Sequence, residues 1–216
     1  MPPMDDRDIE QMLREREAVL IREHNAALDL AGFDARDTIL DVATGSGRML
    51  LQLLQRGYSV VSGDIDREAL DRARERLGDL SDKPTLVIMD AHKIQFDDDT
   101  FIAATLANAI HHISDPAGAL DEIARVLTPD GKLLVTEFTA EGFALMELHH
   151  RMLGRGEHPK GEMSTEGIDR YLRSSFDSVE TQEFSIIRAW VASSKKRRKE
   201  ADGPFGDSAE REETDS

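Results

Sequence analysis

The sequence has no cysteine and few aromatic residues among its 216 positions. Without cysteine there are no disulfides, thiolate nucleophiles or cysteine-ligated zinc, and a reducing compartment is consistent with that composition. No stretch approaches the roughly 20 consecutive apolar residues that a membrane-spanning helix needs. The first residues, MPPMDDRDIEQ, lack the basic-then-apolar pattern of a secretory leader. We therefore expect a cytoplasmic protein without a membrane span.

Positive charge is also scarce. The 27 Lys and Arg residues face 43 Asp and Glu residues, which gives a formal net charge of −16. A body this acidic repels the backbone of nucleic acids unless it carries a local basic face, so a nucleic-acid partner is disfavoured. The one basic run, residues 195–199 (KKRRK), precedes an acidic segment that partly neutralises it. We predict that residues 194–216 form a disordered tail, because they have too little apolar surface to offset the entropy of ordering.

Apolar strands alternate with amphipathic helices through most of the chain. A helix is predicted over residues 8–30 from the spacing of its apolar side chains. Five strands and three helices then alternate between residues 38 and 138, and two helices and two closely spaced strands follow. Because parallel strands need crossover connections, this order predicts an α/β fold with a mostly parallel sheet covered by helices on both faces.

A turn of small residues follows the first predicted strand. It consists of Asp41, Val42, Ala43, Thr44, Gly45, Ser46 and Gly47. Small residues at a strand-to-helix turn allow a ligand to approach the backbone, and the helix N-terminus offers free N–H groups to an anionic part of that ligand. A dinucleotide-binding fingerprint would need a third glycine at position 50, which is Leu50.

Acidic residues end the first three predicted strands. Asp64 and Asp90 occupy the ends of the second and third strands, as Asp41 does in the first. Open α/β folds bind ligands at this carboxyl edge, and a carboxylate there can accept both hydroxyls of a ribose. Asp66 is better placed than Asp64 to cap the following helix. We therefore expect the three acids to converge on one ligand-binding crevice.

Several segments resemble class I S-adenosylmethionine-dependent methyltransferases, and specifically the small-molecule branch typified by quinone-biosynthesis methyltransferases. The similar segments are ILDVATGSGRMLLQLLQRG, VVSGDID, MDAHKIQFDDDTF, LANAIHHISDPAGALDEIARVLTPDGKLLVTEF and, more loosely, STEGIDRYLRSSFDSVETQEF. The resemblance implies a Rossmann-like sheet of seven strands, mostly parallel, with an antiparallel C-terminal strand and helices on both faces. Residues 1–193 would form one methyltransferase domain, with residues 140–164 as a lid over the methyl acceptor.

The resemblance also implies a cofactor, S-adenosylmethionine, and residues that would hold it. The loop from Asp41 to Gly47 would surround the methionyl part, although many family members have glycine at the position of Ala43. Asp64 would hold the ribose hydroxyls. The remaining residues would lie around the adenine or the reactive sulfur: Ile65, Asp90 and Ala91 at the adenine, and Asn108 near the methionyl group.

The implied function is transfer of the methyl group of S-adenosylmethionine to a small-molecule acceptor by direct in-line displacement. A general base is needed only when a proton must leave the acceptor, and histidine is the natural choice near neutral pH. The candidates are His111, His112, His149 and His150. The first two recur in the resembling family, where an alternative role is to shape the start of a helix.

No metal site is predicted from the sequence. The spacing of His149, His150 and His158 is not typical of metal ligands, and residues 97–99 are interpreted as a solvated acidic loop. Two alternative functions stay open: an RNA or protein methyltransferase, favoured only by the basic run, and a non-catalytic S-adenosylmethionine-binding regulatory module. The sequence carries no signal for the oligomeric state.

Overall fold

A computed structural model describes residues 6–152, 154 and 156–196 of the chain. The helices are α1 (Asp6–Ala31), α2 (Arg48–Gln55), α3 (Arg67–Leu77), α4 (Pro116–Val126), α5 (Ala140–Met152) and α6 (Thr165–Ser175). The strands are β1 (Thr38–Val42), β2 (Ser59–Asp64), β3 (Thr85–Ile88), β4 (Phe101–Ala107), β5 (Leu127–Phe138), β6 (Phe176–Glu183) and β7 (Ile187–Lys195). Among these residues, no helix combines the length and the apolar character that crossing a membrane requires.

The seven strands form one sheet in the order β3-β2-β1-β4-β5-β7-β6. Strands β1 to β5 pair in parallel, whereas β7 runs antiparallel to both β5 and β6. The predicted seven-stranded, mostly parallel fold with an antiparallel C-terminal strand is therefore confirmed. The strand order reverses between β1 and β4, and in α/β sheets a ligand crevice lies outside the carboxyl ends of the strands at such a switch point.

Both faces of the sheet are buried, which explains the nearly continuous apolar runs of its central strands. Ile39 of β1 packs on the side of α1 and α2 with Leu28 and Leu50. Leu40, the next residue, points to the opposite face and packs in the cluster that contains Leu120 of α4 and Trp190 of β7. The fixed alternation of side chains along a strand thus places successive apolar residues in two separate cores.

Side-chain caps fix the starts of the helices that follow the strand ends. The carboxylate of Asp66 accepts a hydrogen bond from the backbone N–H of Glu68 at the start of α3. Asp115 and Ser164 cap α4 and α6 in the same way. Because Asp66 has this role, the neighbouring carboxylate of Asp64 is not needed as the cap.

The structure corrects two predicted boundaries. The apolar spacing of residues 117–127 predicts a helix that ends at Leu127. In the structure Leu127 instead begins β5 and pairs with Phe101, with a shift in register before the main ladder. The predicted tail begins too early, because β7 continues to Lys195. The ammonium group of Lys195 donates hydrogen bonds to the backbone carbonyls of Ala124 and Leu127, which fixes this end of the strand. The remainder of the predicted tail, residues 197–216, lies outside the described residues.

Candidate active site

A cavity of about 680 Å³ opens at the carboxyl ends of β1, β2 and β4. Ten of the residues expected from the resemblance to hold the cofactor line it: Asp41, Ala43, Thr44, Gly45, Ser46, Asp64, Ile65, Asp90, Ala91 and Asn108. Gly47 lies behind the loop, where a Cβ atom would come within 3.0 Å of the Cβ of Ala73 in α3. The three strand-end acids therefore share one crevice.

The loop after β1 is folded by left-handed backbone conformations. Ala43, Gly45 and Gly47 have φ angles of 57°, 55° and 75°. Two backbone hydrogen bonds hold the loop: the N–H of Thr44 donates to the carbonyl of Gly63 at 3.0 Å, and that of Gly47 donates to the carbonyl of Thr44 at 2.9 Å. Glycine adopts such angles without steric cost, whereas alanine at position 43 does so with strain.

Asp64 connects the second strand end to this loop. Its Oδ2 atom accepts a hydrogen bond from the backbone N–H of Gly45 at 2.8 Å, and its Oδ1 atom accepts one from the N–H of Asp66 at 2.9 Å. These two contacts orient the carboxylate at the cavity wall. An ionised carboxylate has further lone-pair sites, so ligand hydroxyls can still bind to it.

Asp41 is buried beneath the loop and is only 2% exposed. Its Oδ2 atom accepts a hydrogen bond from the hydroxyl of Ser62 at 2.6 Å, and its Oδ1 atom accepts one from the hydroxyl of Thr105 at 2.7 Å. Burial raises the pKa of Asp41 to about 6, and the charge of Asp64 also raises it, although the two hydroxyls act in the opposite direction. Asp41 therefore joins β1 to β2 and β4 at the floor of the crevice, and both of its oxygens are engaged there.

The second and third strand ends form the outer wall. Ile65 is 67% exposed, which is unusual for a large apolar side chain, and it faces the cavity. Asp90 accepts hydrogen bonds from the backbone N–H and the ring of His92, and these contacts lower the pKa of Asp90. This wall thus combines an apolar surface with an ionised carboxylate.

Asn108 follows β4 with a φ angle of 50° and lies at the inner end of the cavity. Its Oδ1 atom accepts a hydrogen bond from the hydroxyl of Thr136 at 2.9 Å and lies 2.6 Å from Nε2 of His24. The other amide atom, Nδ2, is buried and has no hydrogen-bond partner among the described residues. A ligand oxygen at this position would satisfy it.

Helix α1 contributes three cavity residues that the sequence did not indicate as part of the site: Arg16, Leu20 and His24. His24 is fully buried, and burial lowers its pKa to about 4, so its imidazole is neutral at neutral pH. The Nε atom of Arg16 is buried without a hydrogen-bond partner among the described residues. No sequence signal could have found these contacts, because His24 and Asn108 are 84 residues apart.

The predicted lid contains α5, but only part of it reaches the cavity. Met146 and His158 line the cavity together with Phe138. His149 and His150, two candidate bases, do not: Nδ1 of His149 lies 2.7 Å from the guanidinium of Arg16. The ring of His150 contacts the backbone carbonyl of Gly156 instead.

The other two candidate bases, His111 and His112, line the cavity beside His158. Nδ1 of His111 lies 2.8 Å from a carboxylate oxygen of Glu137, and its Nε2 lies 3.2 Å from Nε2 of His158. Burial, followed by the charge of His111, lowers the pKa of His112 and lowers that of His158 to about 4. Glu137 was missed from the sequence because a buried carboxylate inside an apolar strand has no distinctive pattern.

Comparisons with known proteins agree with this geometry. Residues 40–135 match the family model described as a methyltransferase domain. A demethylmenaquinone methyltransferase of Clavibacter sepedonicus is 31% identical over 161 residues, which cover 73% of this chain and 64% of that protein. A demethylmenaquinone methyltransferase of Thermus thermophilus is 37% identical over 120 residues, covering 55% of this chain and 54% of that protein. The chain thus spans between half and two thirds of the length of these relatives.

Solved structures show the same fold. A SAM-dependent methyltransferase from Aquifex aeolicus has a TM-score of 0.62 at 20% identity, covering 89% of this chain and 100% of that one. The PH0226 protein from Pyrococcus horikoshii has a TM-score of 0.63 at 20% identity, covering 74% of this chain and 84% of that one. In its sheet topology, its matched domain and these relatives, the chain is similar to class I S-adenosylmethionine-dependent methyltransferases.

Proposed function

We propose that the chain transfers the methyl group of S-adenosylmethionine to a small-molecule acceptor, and that both molecules bind in the crevice described above. The observation that carries this proposal is that one cavity is lined both by Asp64 and Ile65, at the end of β2, and by Met146 and His158, which follow β5. Its volume of about 680 Å³ lies within the range typical of small-molecule sites, about 300–1,000 Å³.

The outer end of the crevice fits an adenosyl group. Asp64 offers a carboxylate whose orientation is already fixed by the backbone of Gly45 and Asp66, so little ordering is lost when ribose hydroxyls bind. The exposed side chain of Ile65 provides an apolar surface for the adenine. A flat aromatic ring that covers Ile65 would remove its apolar surface from water, which is favourable.

The inner end fits the charged methionyl group. Asn108 and Arg16 both line the cavity, and each has a buried N–H donor without a partner among the described residues. A carboxylate oxygen is a suitable acceptor for such donors, and a charge-assisted hydrogen bond is stronger than a neutral one. Helix α1 would therefore help to hold the methionyl end through Arg16 and, indirectly, through the contact of His24 with Asn108.

The bound cofactor would supply an electrophilic methyl group on a sulfonium. The protein then has to align the acceptor with that methyl group and exclude water, and orientation alone is worth about 7–11 kcal/mol. Helix α1 and the segment after β5 cover the crevice and would perform the exclusion. Among the four predicted bases, His111 and His112 line the crevice, which supports them as the groups that would accept a proton from the acceptor.

The acceptor that this site supports best is a flat hydroxylated aromatic molecule of the hydroquinone type. Phe138, Met146 and Ile113 give its inner wall an apolar surface, and the histidines lie beside that wall. Relatives of the chain are named demethylmenaquinone methyltransferase and ubiquinone/menaquinone biosynthesis C-methyltransferase. Ionisation of a ring hydroxyl makes the neighbouring ring carbon nucleophilic, which suits methyl transfer to carbon.

Equilibrium dialysis with labelled S-adenosylmethionine, followed by a turnover assay, tests the proposal. We expect one cofactor bound per chain, and S-adenosylhomocysteine formed only when a reduced naphthoquinone or a related hydroquinone is added. Absence of uptake at millimolar concentration would refute the proposal. Cofactor binding with turnover only on RNA or protein would show that the acceptor is a macromolecule rather than a small molecule. Uptake without turnover on any of these acceptors or on a metabolite extract would indicate a regulatory module.

A further inference from the structure

We propose that His111, His112 and His158 bind a divalent transition-metal ion, and that Zn²⁺ is the ion best suited to them. Within the described parts of the chain, these three residues form a group whose potential ligand atoms all lie within 4.8 Å of one another. All three line the crevice. The proposal concerns metal binding itself and does not depend on the methyl-transfer activity proposed above.

The spacing of two of the rings already matches a zinc site. Nε2 of His111 and Nε2 of His158 are 3.2 Å apart. Two nitrogen ligands at about 2.0–2.1 Å from a tetrahedral zinc ion are about 3.3 Å apart, so these two atoms could bind one ion with little movement. The ring of His112 has to approach more closely, and because this residue is exposed, rotation of its side chain can bring it there.

Glu137 contacts the ring of His111 in the way that a carboxylate outside the coordination shell contacts a metal-binding histidine. Its Oε1 atom lies 2.8 Å from Nδ1 of His111, which favours the tautomer that leaves Nε2 with a free lone pair. The Glu137 carboxylate also accepts hydrogen bonds from the backbone N–H groups of His111 and Phe138. Glu137 is only 2% exposed, and a buried negative charge is stabilised by a nearby cation.

The segment that carries His158 is seated closely on His111. His158 is 8% exposed, although it lies in the loop between α5 and α6. Gly161 in the same loop has a φ angle of 74°, and a Cβ atom there would come within 2.5 Å of the Cα atom of His111. Only glycine permits this approach. The close contact between Gly161 and the backbone of His111 therefore fixes the position of the loop that carries His158.

The donor set selects the class of ion. Imidazole nitrogens suit zinc, copper, iron and nickel, whereas magnesium and calcium prefer oxygen ligands. Three protein ligands leave one position of a tetrahedral ion open, which is the arrangement of catalytic rather than structural zinc sites. Because all three histidines line the crevice, a water molecule or a hydroxyl oxygen can reach that position. A bound ion would lower the pKa of such a hydroxyl, and this would replace proton acceptance by the histidine rings. His111 and His158 are 47 residues apart, which explains why the sequence did not reveal the site.

The test uses the full chain without an affinity tag, stripped of metal and dialysed against micromolar free Zn²⁺. We expect one zinc ion per chain by elemental analysis. His158→Asn should weaken binding at least about tenfold, and Glu137→Gln should weaken it by about 10–100-fold. The matched control is His92→Asn, because His92 is exposed and contacts Asp90 and the carbonyl of Asp115 rather than the cluster. This variant should bind zinc as the wild type does.

Thermal unfolding with and without zinc provides a second measurement that requires no turnover. Zinc should raise the Tm of the wild type and of His92→Asn by more than that of His158→Asn, because stabilisation by a ligand of the folded state grows with its concentration relative to Kd. A cooperative unfolding transition of His158→Asn, measured in the presence of a chelator, would show that this variant is folded. Absence of zinc from the wild type, or equal retention by the His92 and His158 variants, would refute the metal site. Dialysis with labelled S-adenosylmethionine tests the proposed function independently of zinc binding. Failure of the proposed function can therefore be distinguished from failure of the metal site.

Discussion

The carboxylate of Asp64 accepts a hydrogen bond at 2.8 Å from the backbone N–H of Gly45, a residue 19 positions earlier. This contact links the end of β2 to the loop that follows β1. The same carboxylate accepts the N–H of Asp66, so its orientation is fixed before any ligand arrives. The structure thus prepares the residue that would bind the ribose by means of two backbone contacts.

The first prediction concerns this carboxylate. Asp64→Asn retains the shape of the side chain but removes its charge and one of its acceptor oxygens. A hydrogen bond to a charged group contributes about 1.5–3 kcal/mol, so affinity for S-adenosylmethionine should fall at least about tenfold. Isothermal titration calorimetry measures the affinity of both proteins for S-adenosylmethionine. As a control, Asp34→Asn changes an aspartate that precedes β1, at the opposite edge of the sheet, and should leave affinity unchanged. Equal affinity of the wild type and Asp64→Asn would contradict the assigned role.

The second prediction concerns the strain at Ala43, which has a φ angle of 57°. Left-handed backbone costs a residue with a Cβ atom about 1–2 kcal/mol, whereas the extra freedom of glycine in the unfolded chain costs about 0.4–1 kcal/mol. Ala43→Gly should therefore raise the free energy of unfolding by about 0.5–1 kcal/mol in urea denaturation. Ala18→Gly, at an exposed position in helix α1, should lower it by about 1 kcal/mol. A loss of stability in both variants would show that Ala43 is not strained.

The third prediction compares two glycines that both have left-handed backbone. At Gly47 a Cβ atom would come within 3.0 Å of Ala73, whereas at Gly57 nothing lies within 4 Å. Both alanine variants incur backbone strain, but only Gly47→Ala also forces α2 and α3 apart. Urea denaturation should show that Gly47→Ala loses about 1–3 kcal/mol more stability than Gly57→Ala. Similar losses would mean that the contact between the loop and α3 is easily relaxed.

The fourth prediction concerns the pH dependence of stability. The pKa of Asp41 is about 6 in the folded protein, above the value of about 3.8 from which burial raises it. A group with a raised pKa in the folded state stabilises the fold below its unfolded pKa, and this contribution is lost as the pH rises through about 6. In the Asp41→Asn variant residue 41 cannot ionise, so this variant does not lose stability as the pH rises. Its free energy of unfolding relative to the wild type should therefore increase between pH 4 and pH 7.5, by up to about 3 kcal/mol.

Urea denaturation of both proteins across this range measures the difference directly. His24 acts in the opposite direction in the wild type, because its pKa is lowered to about 4 and acid therefore destabilises the fold. Since His24 is present in both proteins, its effect cancels in the comparison. A difference that does not change with pH would show that Asp41 is ionised with a normal pKa in the folded state.

The sequence by itself determined the order of strands and helices, the parallel sheet and the position of the crevice. Largely apolar runs such as residues 38–42 are typical of strands buried on both faces, and the carboxyl ends of parallel strands meet at one edge of the sheet. Local chemistry also distinguished Asp66, which caps α3, from Asp64, because capping involves residues close together in the chain.

Only the tertiary structure decided the partners of the buried polar groups. Asp41 is engaged by Ser62 and Thr105, which come from two neighbouring strands. Glu137 holds His111, and a loop far along the chain brings His158 to the same ring. Such pairs are specified by packing across the sheet and by loop closure, and neither leaves a periodic pattern in the sequence. The fold could therefore be predicted from local order, whereas the inner end of the site depends on contacts between residues distant in the chain.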